Sequence, residues 1–144
     1  MDTQAIANKY GDGLYVVARI LVGLMFSLHG AQKFGLLNDG TSVAGFSGAF
    51  GFPLWLGGLV ALTELLVGIC LVLGLFVRWA AVIGGIVMVC AVALAHSSAL
   101  IPIASYKAGS GGEGALLYLA FFFVAMKIGN GRASLEQALF KKEH

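Results

Sequence analysis

The sequence predicts an all-α fold: an antiparallel bundle of four membrane-spanning helices in an integral membrane protein. Of the 144 residues, 59% are hydrophobic and only 11% are charged, and the mean hydropathy is +0.91. A soluble domain has roughly a quarter of its residues charged, so this chain lacks the charge that would cover a water-facing surface. Its apolar residues also fall into four stretches, each close to the roughly 20 residues that cross a bilayer.

The four stretches cover about residues 14–37, 54–77, 79–100 and 114–128, all within one predicted domain of residues 1–144. The first is preceded by a single lysine and contains an arginine, so it is predicted to be a retained helix and not a cleaved signal peptide. The link Phe76-Val77-Arg78-Trp79 is short, which makes the second and third helices antiparallel neighbours. Many of the 21 glycines lie inside the spans, where small residues allow helices to pack closely.

The distribution of lysine and arginine predicts the orientation in the membrane, because these residues are more frequent in cytoplasmic loops. If both termini lie on one side, that side has Lys9, Arg78, Lys127, Arg132, Lys141 and Lys142, and the other has Lys33 and Lys107. Both termini are therefore expected in the cytoplasm, with the loops at about 38–53 and 101–113 facing outward. The net charge of +2 is spread along the chain and does not indicate nucleic-acid binding.

Two short interfacial helices are predicted outside the spans. In the loop at 38–53, Val43, Phe46 and Phe50 are spaced i, i+3, i+7, which places them on one side of a helix. This segment is either a lid over a site that opens outward or an ordinary packed loop. Near the C-terminus, Ser134 and Gln137 have the spacing of a capping box, and an amphipathic helix is expected to follow on the cytoplasmic surface.

Ionisable and polar side chains inside the spans are the candidate functional residues, because a charge at the bilayer centre costs about 2.5–3.5 kcal/mol on insertion scales. His29 and Glu64 lie about 12 and 15 Å below the outer ends of their predicted helices, at about 1.5 Å per residue. At similar depth, they are expected to meet and to act as catalytic groups that pass protons. The expected substrate-binding residues form a polar funnel from the outer surface; they are Arg19, Gln32, Lys33, His96 and Glu113.

Each of these residues also has a simpler interpretation. Arg19 and Lys33 are long enough to reach the headgroups from inside a helix. Glu113 would be favourable at the positive N-terminal end of the fourth helix, and His96 is near a predicted helix end. The pair of Glu64 and a basic neighbour would also lock two helices together without any chemistry.

No metal site is predicted, since Cys70 and Cys90 form no C-x-x-C pair and lack metal-type spacing with histidine. They are expected to be small packing residues, and their predicted depths differ by about 9 Å, too far for a disulfide. A haem between His29 and His96 is disfavoured because those residues differ by about 6 Å in predicted depth.

Several of these segments resemble the DoxX family of small bacterial four-helix membrane proteins. The likeness is carried by the run R-I-L-V-G-L-M-F-S-L-H-G-A-Q-K, by Glu64, by G-G-E-G-A-L-L-Y-L from Gly111, and by the last motif, Gly129 to Glu136. In that motif Glu136 stands where the family more often has aspartate. The family is described as oxidoreductase-like, and its name comes from a subunit of an archaeal enzyme that oxidises thiosulfate and passes electrons to quinone.

The resemblance implies a bacterial inner-membrane protein with a redox role, carried by Arg19, His29, Gly30, Lys33, Glu64, Glu113 and Arg132. The leading hypothesis is a membrane oxidoreductase component that acts on a quinone or a small sulfur-containing or anionic substrate, with quinone as the expected cofactor. A soluble or membrane redox partner would then supply or accept electrons, and a homo-oligomer is compatible with the small bundle. The alternatives are transport or efflux of a small molecule, and a non-enzymatic adaptor that anchors a soluble redox enzyme.

Overall fold

The computed structural model describes residues 3–95 and 112–140, and within these ranges every regular element is a helix. The all-helical prediction is therefore confirmed for this part of the chain. In chain order the helices are α1 (Thr3–Lys33), α2 (Val43–Phe50), α3 (Leu54–Leu73), α4 (Val77–Ala95), α5 (Glu113–Ile128) and α6 (Leu135–Phe140).

Three of the described helices are long and apolar enough to cross a membrane. These segments are Tyr10–Lys33 in α1, Leu54–Leu73 in α3 and Val77–Leu94 in α4, and they coincide with the first three predicted spans. The large side chains on their outer surfaces are apolar, and Trp55 and Trp79 are 70% and 72% exposed. Apolar surface on this scale requires a lipid solvent, so the chain is a membrane protein. Helix α5, with 16 residues, occupies the fourth predicted stretch.

Glycines allow the backbones of α1 and α3 to approach closely. A Cβ atom built on Gly30 would lie 2.6 Å from the carbonyl oxygen of Ala61, and one on Gly68 would lie 2.6 Å from the carbonyl oxygen of Gly23. Real side chains do not tolerate such distances, so only glycine fits at these positions. Close approach of this kind supplies the packing contacts that hold helices together in lipid. It also places the last turns of α1 beside the first half of α3.

Among the described residues, an apolar core joins the four long helices. Phe26 of α1, Leu71 of α3 and Phe122 of α5 are almost completely buried, and the Phe26 and Phe122 rings meet edge to face with centroids 5.2 Å apart. The Phe122 ring also lies against Gly84 of α4, where a Cβ would be 2.5 Å from the ring. The missing side chain at Gly84 thus makes room for the Phe122 ring.

The turn between α3 and α4 covers residues 74–76 and begins earlier in the chain than the sequence predicted. Helix α3 ends at Leu73 because Gly74 has a φ of +69°, and the N–H of Leu75 donates to the carbonyl oxygen of Cys70 at 2.9 Å. This C-terminal cap is typical of glycine in the left-handed region. The second predicted span was extended to residue 77, four residues too far, since hydropathy does not register a cap.

The segment between α5 and α6, together with the first turn of α6, closes one end of the bundle through hydrogen bonds to residues 76 and 77 at the start of α4. The side chain of Asn130 accepts from the N–H of Val77 at 3.1 Å, and the Glu136 carboxylate accepts from the N–H of Phe76 at 2.7 Å. These bonds satisfy backbone donors that a helix N-terminus leaves free. Part of the predicted capping box is also present, because the N–H of Gln137 donates to Ser134 Oγ at 3.3 Å.

Candidate functional site

A cavity of about 500 Å³ lies at the end of the bundle where α1 terminates. Most of its wall is apolar, and α1, α2, α3, α4 and α5 all contribute to it. Its polar wall groups include Lys33, Glu64, His29 and Tyr118. A mostly apolar cavity of this volume with a few converging polar groups has the usual features of a small-molecule site.

The Lys33 ammonium donates a hydrogen bond to Oε2 of Glu64 and forms an ion pair with it. The Lys33 side chain is 15% exposed and that of Glu64 is 6% exposed, so the pair is largely shielded from solvent. Two opposite charges at this depth compensate each other, which is how ionisable residues are usually accommodated inside membrane proteins. Similar predicted depths favoured His29 as the partner of Glu64, whereas in the structure the partner is Lys33.

His29 lies on the same wall of the cavity, one helical turn before Lys33. Its imidazole ring packs edge to face against Tyr118 of α5, with centroids 5.9 Å apart. The Tyr118 hydroxyl is buried and has no hydrogen-bond partner among the described residues. A buried tyrosine hydroxyl usually finds a partner, so this orphan donor is available to a bound molecule.

Helix α2 and the residues after it line the cavity with aromatic rings. Phe46, Phe50 and Phe52 all line the cavity, with centroid distances of 5.2–6.2 Å between their rings. The Lys33 Nζ atom lies 4.9 Å from the centroid of the Phe46 ring, which is a cation–π geometry. Of the two interpretations of this segment, a lid over a site fits these contacts better than an ordinary loop.

Helix α2 is fixed in place by its own N-cap and by contact with α3. Ser42 Oγ accepts from the N–H of Gly45 at 3.1 Å, which starts the helix. Ser47 is 3% exposed and packs directly onto Gly57 of α3. The glycine at 57 thus allows the aromatic lid to lie close to the bundle.

Arg19 is placed far from this cavity. It is 1% exposed, and its guanidinium donates to the carbonyl oxygens of Asn130 and Ala133, the latter at 2.7 Å. Beside it, the Tyr15 hydroxyl donates to the carbonyl oxygen of Gly129 at 2.5 Å. The buried charge of Arg19 is therefore explained by the segment between α5 and α6, and not by the polar group of the cavity.

The other predicted binding residues do not converge with Lys33 and Glu64. The Gln32 amide donates to Oδ2 of Asp39 at 2.5 Å in the turn after α1. Glu113 is exposed at the start of α5, and its neighbour Gly114, not Glu113 itself, contributes to the cavity wall. His96 lies outside the described residues. Whether any of these residues binds substrate stays a prediction.

Asp39 lies in the turn after α1 and therefore outside the membrane-spanning segments. The hydrogen bond from the Gln32 amide, together with the one from the N–H of Thr41, lowers the pKa of Asp39 below its ordinary value. The ionised carboxylate thus ties the end of α1 to the following loop.

Sequence reasoning missed Tyr118 and Cys90. Tyr118 belongs to the motif that opens α5, and its signal was a hydroxyl in an otherwise apolar helix, which needs a partner. Cys90 was expected to be a packing residue, yet it lines the cavity and is exposed. Both cysteines are free thiols, and within the described residues no cluster of His, Cys, Asp and Glu could hold a metal ion.

The fold and the site together define a class: a helical membrane protein with a mostly apolar cavity that contains a shielded ion pair. Comparison with known proteins specifies the family. The sequence model of the DoxX family matches residues 14–97, and the chain belongs to that family. This span includes His29, Lys33 and Glu64 but not Tyr118.

A protein of Haemophilus influenzae is 37% identical to this chain over 139 residues, which covers 94% of the chain and 97% of the relative. That relative is described as an uncharacterized protein. No solved structure is significantly similar to the chain.

Proposed function

We propose that this protein is a component of a membrane oxidoreductase and that its cavity binds a quinone-type ring. The observation that carries the proposal is the Lys33–Glu64 ion pair on the wall of a cavity that is otherwise apolar and aromatic. A quinone has the complementary chemistry, since a flat apolar ring carries two carbonyl oxygens that accept hydrogen bonds.

The wall residues fit such a ring. The buried Tyr118 hydroxyl has no partner among the described residues, and a ring oxygen would accept its hydrogen bond. The Lys33 ammonium and the His29 imidazole supply further donors on the same side of the cavity. Phe46, Phe50 and Phe52 offer flat surfaces against which a ring can stack at the usual 4.5–7 Å between centroids.

When bound, the quinone supplies two-electron, two-proton redox chemistry. The role of the protein is then to orient the ring and to handle protons. Lys33 donates a hydrogen bond to Glu64, which fixes the position of the carboxyl group on the cavity wall. A carboxyl group can accept a proton and return it, and His29 on the same cavity wall offers a second group that can carry protons. Electrons must pass through a soluble or membrane-bound redox partner.

The architecture that we propose for this activity is an antiparallel four-span bundle, with α5 as the fourth span. Its 16 residues measure about 24 Å, shorter than the roughly 30 Å of hydrocarbon, which suits a locally thinned bilayer. The pairing of Gly30 with Ala61 and of Gly23 with Gly68 supports opposite directions for α1 and α3. We place the protein in the bacterial inner membrane with both termini in the cytoplasm, in accord with its lysine and arginine distribution.

The test is quinone binding to the full chain in lipid nanodiscs, measured by calorimetry with a short-chain quinone analogue. We expect Tyr118→Phe to weaken binding about tenfold, since it removes one hydrogen bond worth about 1.4 kcal/mol. Glu64→Gln should weaken binding by a similar factor, because the Lys33 ammonium loses the carboxylate that positions it on the cavity wall. Thr63→Val is the matched control, because Thr63 is next to Glu64 but its hydroxyl bonds to the carbonyl oxygen of Leu59.

Absence of quinone binding to the wild-type protein would refute the proposal. So would equal affinities for all four proteins. Net flux of an unchanged quinone across proteoliposomes would favour transport over catalysis.

A further inference from the structure

The cavity wall continues along α4 from the interior of the bundle to its outer surface. Met88, which lines the cavity, is 6% exposed, whereas Ile86 and Leu94 also line it and are 60% and 61% exposed. Cys90, between them, is exposed as well. Ile86, Cys90 and Leu94 are spaced i, i+4, i+8 and therefore form one stripe along the helix. Ile86 and Leu94 are also more exposed than Phe50, a large apolar wall residue that is 39% exposed, so this stripe marks an opening of the cavity.

The opening faces lipid and not water. Ile86, Cys90 and Leu94 all lie within Val77–Leu94, a segment long and apolar enough to cross a membrane. Two of the three are large and aliphatic, as in the lipid-facing surface of a membrane helix. A molecule dissolved in the bilayer can therefore enter the cavity from the side without crossing an aqueous phase.

The charges on the wall argue against an anionic ligand. The positive charge of Lys33 on the cavity wall is already balanced by the negative charge of Glu64, with which Lys33 is in direct contact. With His29 neutral, these groups sum to zero. An anion would enter a mostly apolar space with no uncompensated positive charge, at a large desolvation cost. An uncharged molecule with polar oxygens pays no such cost.

From these observations we infer that the ligand is an uncharged, ring-headed lipid whose ring lies beside Lys33 and Glu64 and whose apolar chain leaves through the opening at Ile86, Cys90 and Leu94. This inference rests on the proposed function and deepens it, because it excludes a small sulfur anion and requires a chain-bearing molecule. The chain would remain in contact with lipid while the ring is held inside.

The test compares a quinone that has a long isoprenoid chain with the same ring lacking a chain, both titrated into the full chain in nanodiscs. Ile86→Trp places a large side chain in the opening. We expect it to weaken binding of the long-chain quinone about tenfold and to leave the chainless ring within about twofold, because the ring does not occupy the opening. Val89→Trp is the matched control, since Val89 is 52% exposed on the same helix but does not line the cavity.

Cys90→Phe repeats the test with a smaller side chain than tryptophan. Thermal unfolding of Ile86→Trp and Cys90→Phe, compared with that of Val89→Trp, checks that both variants fold. If Ile86→Trp and Cys90→Phe weaken both ligands equally, or neither of them, the opening at α4 is not the path of the chain and the inference is overturned, while the proposed function stands. If the wild-type protein binds neither ligand, the proposed function itself fails.

Discussion

The Lys33–Glu64 pair links α1 to α3, and its contribution to stability can be worked out from its burial. With side chains 15% and 6% exposed, neither charge is fully hydrated when its partner is removed. Removing one partner of a buried pair costs about 3–5 kcal/mol. We expect Lys33→Met to cost about 3 kcal/mol, because it leaves the more buried Glu64 unpaired. Glu64→Gln should cost less, about 2 kcal/mol, since the longer lysine can reach toward the headgroups.

The double variant, Lys33→Met with Glu64→Gln, should be no less stable than Lys33→Met alone, because it leaves no unpaired charge in the protein interior. The two single effects would then exceed the double effect by about 2–3 kcal/mol, which is the coupling energy of the pair. The measurement is reversible unfolding in mixed micelles for the four proteins of this cycle. Single effects that add to within about 0.5 kcal/mol would refute the reasoning, because independent residues behave in that way.

Three further predictions concern other parts of the molecule. Gly68→Ala should destabilise the bundle by about 1–3 kcal/mol in the same unfolding assay, because its Cβ would be 2.6 Å from a backbone oxygen of α1. Gly58→Ala is the control and should leave the stability unchanged, because its Cβ would make only an ordinary contact at 3.8 Å. Arg19→Met should release the loop between α5 and α6 and make it sensitive to limited proteolysis; resistance equal to that of the wild type would contradict the assigned hydrogen bonds. The pKa of Asp39 is lowered in the folded protein, so this carboxylate contributes stability that is present above its ordinary pKa and lost as the pH falls through the lowered value. Gln32→Ala should move the midpoint of the Asp39 titration, measured by NMR, to higher pH. An unchanged midpoint would show that the hydrogen bond from Gln32 has no effect.

Hydropathy was sufficient to predict most of the fold. The apolar stretches predicted α3, α4 and α5, and the helix ends that lie within the described residues agree with the predicted ends to within a few residues. Hydropathy works here because a membrane helix must be continuously apolar. The misplaced ends have local causes that hydropathy cannot detect. Gly74 stops α3 through a left-handed cap, and the first helix begins as early as Thr3, well before its apolar stretch.

The candidate site was predicted in part. A charge inside a span needs a partner, so Glu64 was correctly expected to meet a basic residue. Estimating depth from Cα positions favoured His29 because it ignored the length of the lysine side chain, which reaches back along the helix to the carboxylate. Arg19 shares a helical stripe with Lys33 but lies 14 residues away, or about 21 Å, so phase alone could not place it in the same site. Its partners come from a loop whose position is set by tertiary structure.

The distance in sequence between Arg19 and its partners has a consequence for biosynthesis. The carbonyl groups that accept its hydrogen bonds follow it by 111 and 114 residues. At about 5–20 residues per second, roughly 6–23 s of translation separate the synthesis of Arg19 from that of these partners. During that interval the guanidinium must be accommodated at the headgroups, and its burial is postponed until Asn130 and Ala133 have been synthesised. The burial of Arg19 is therefore a late step of assembly. If translation stops before residue 130, the first helix cannot reach its final position.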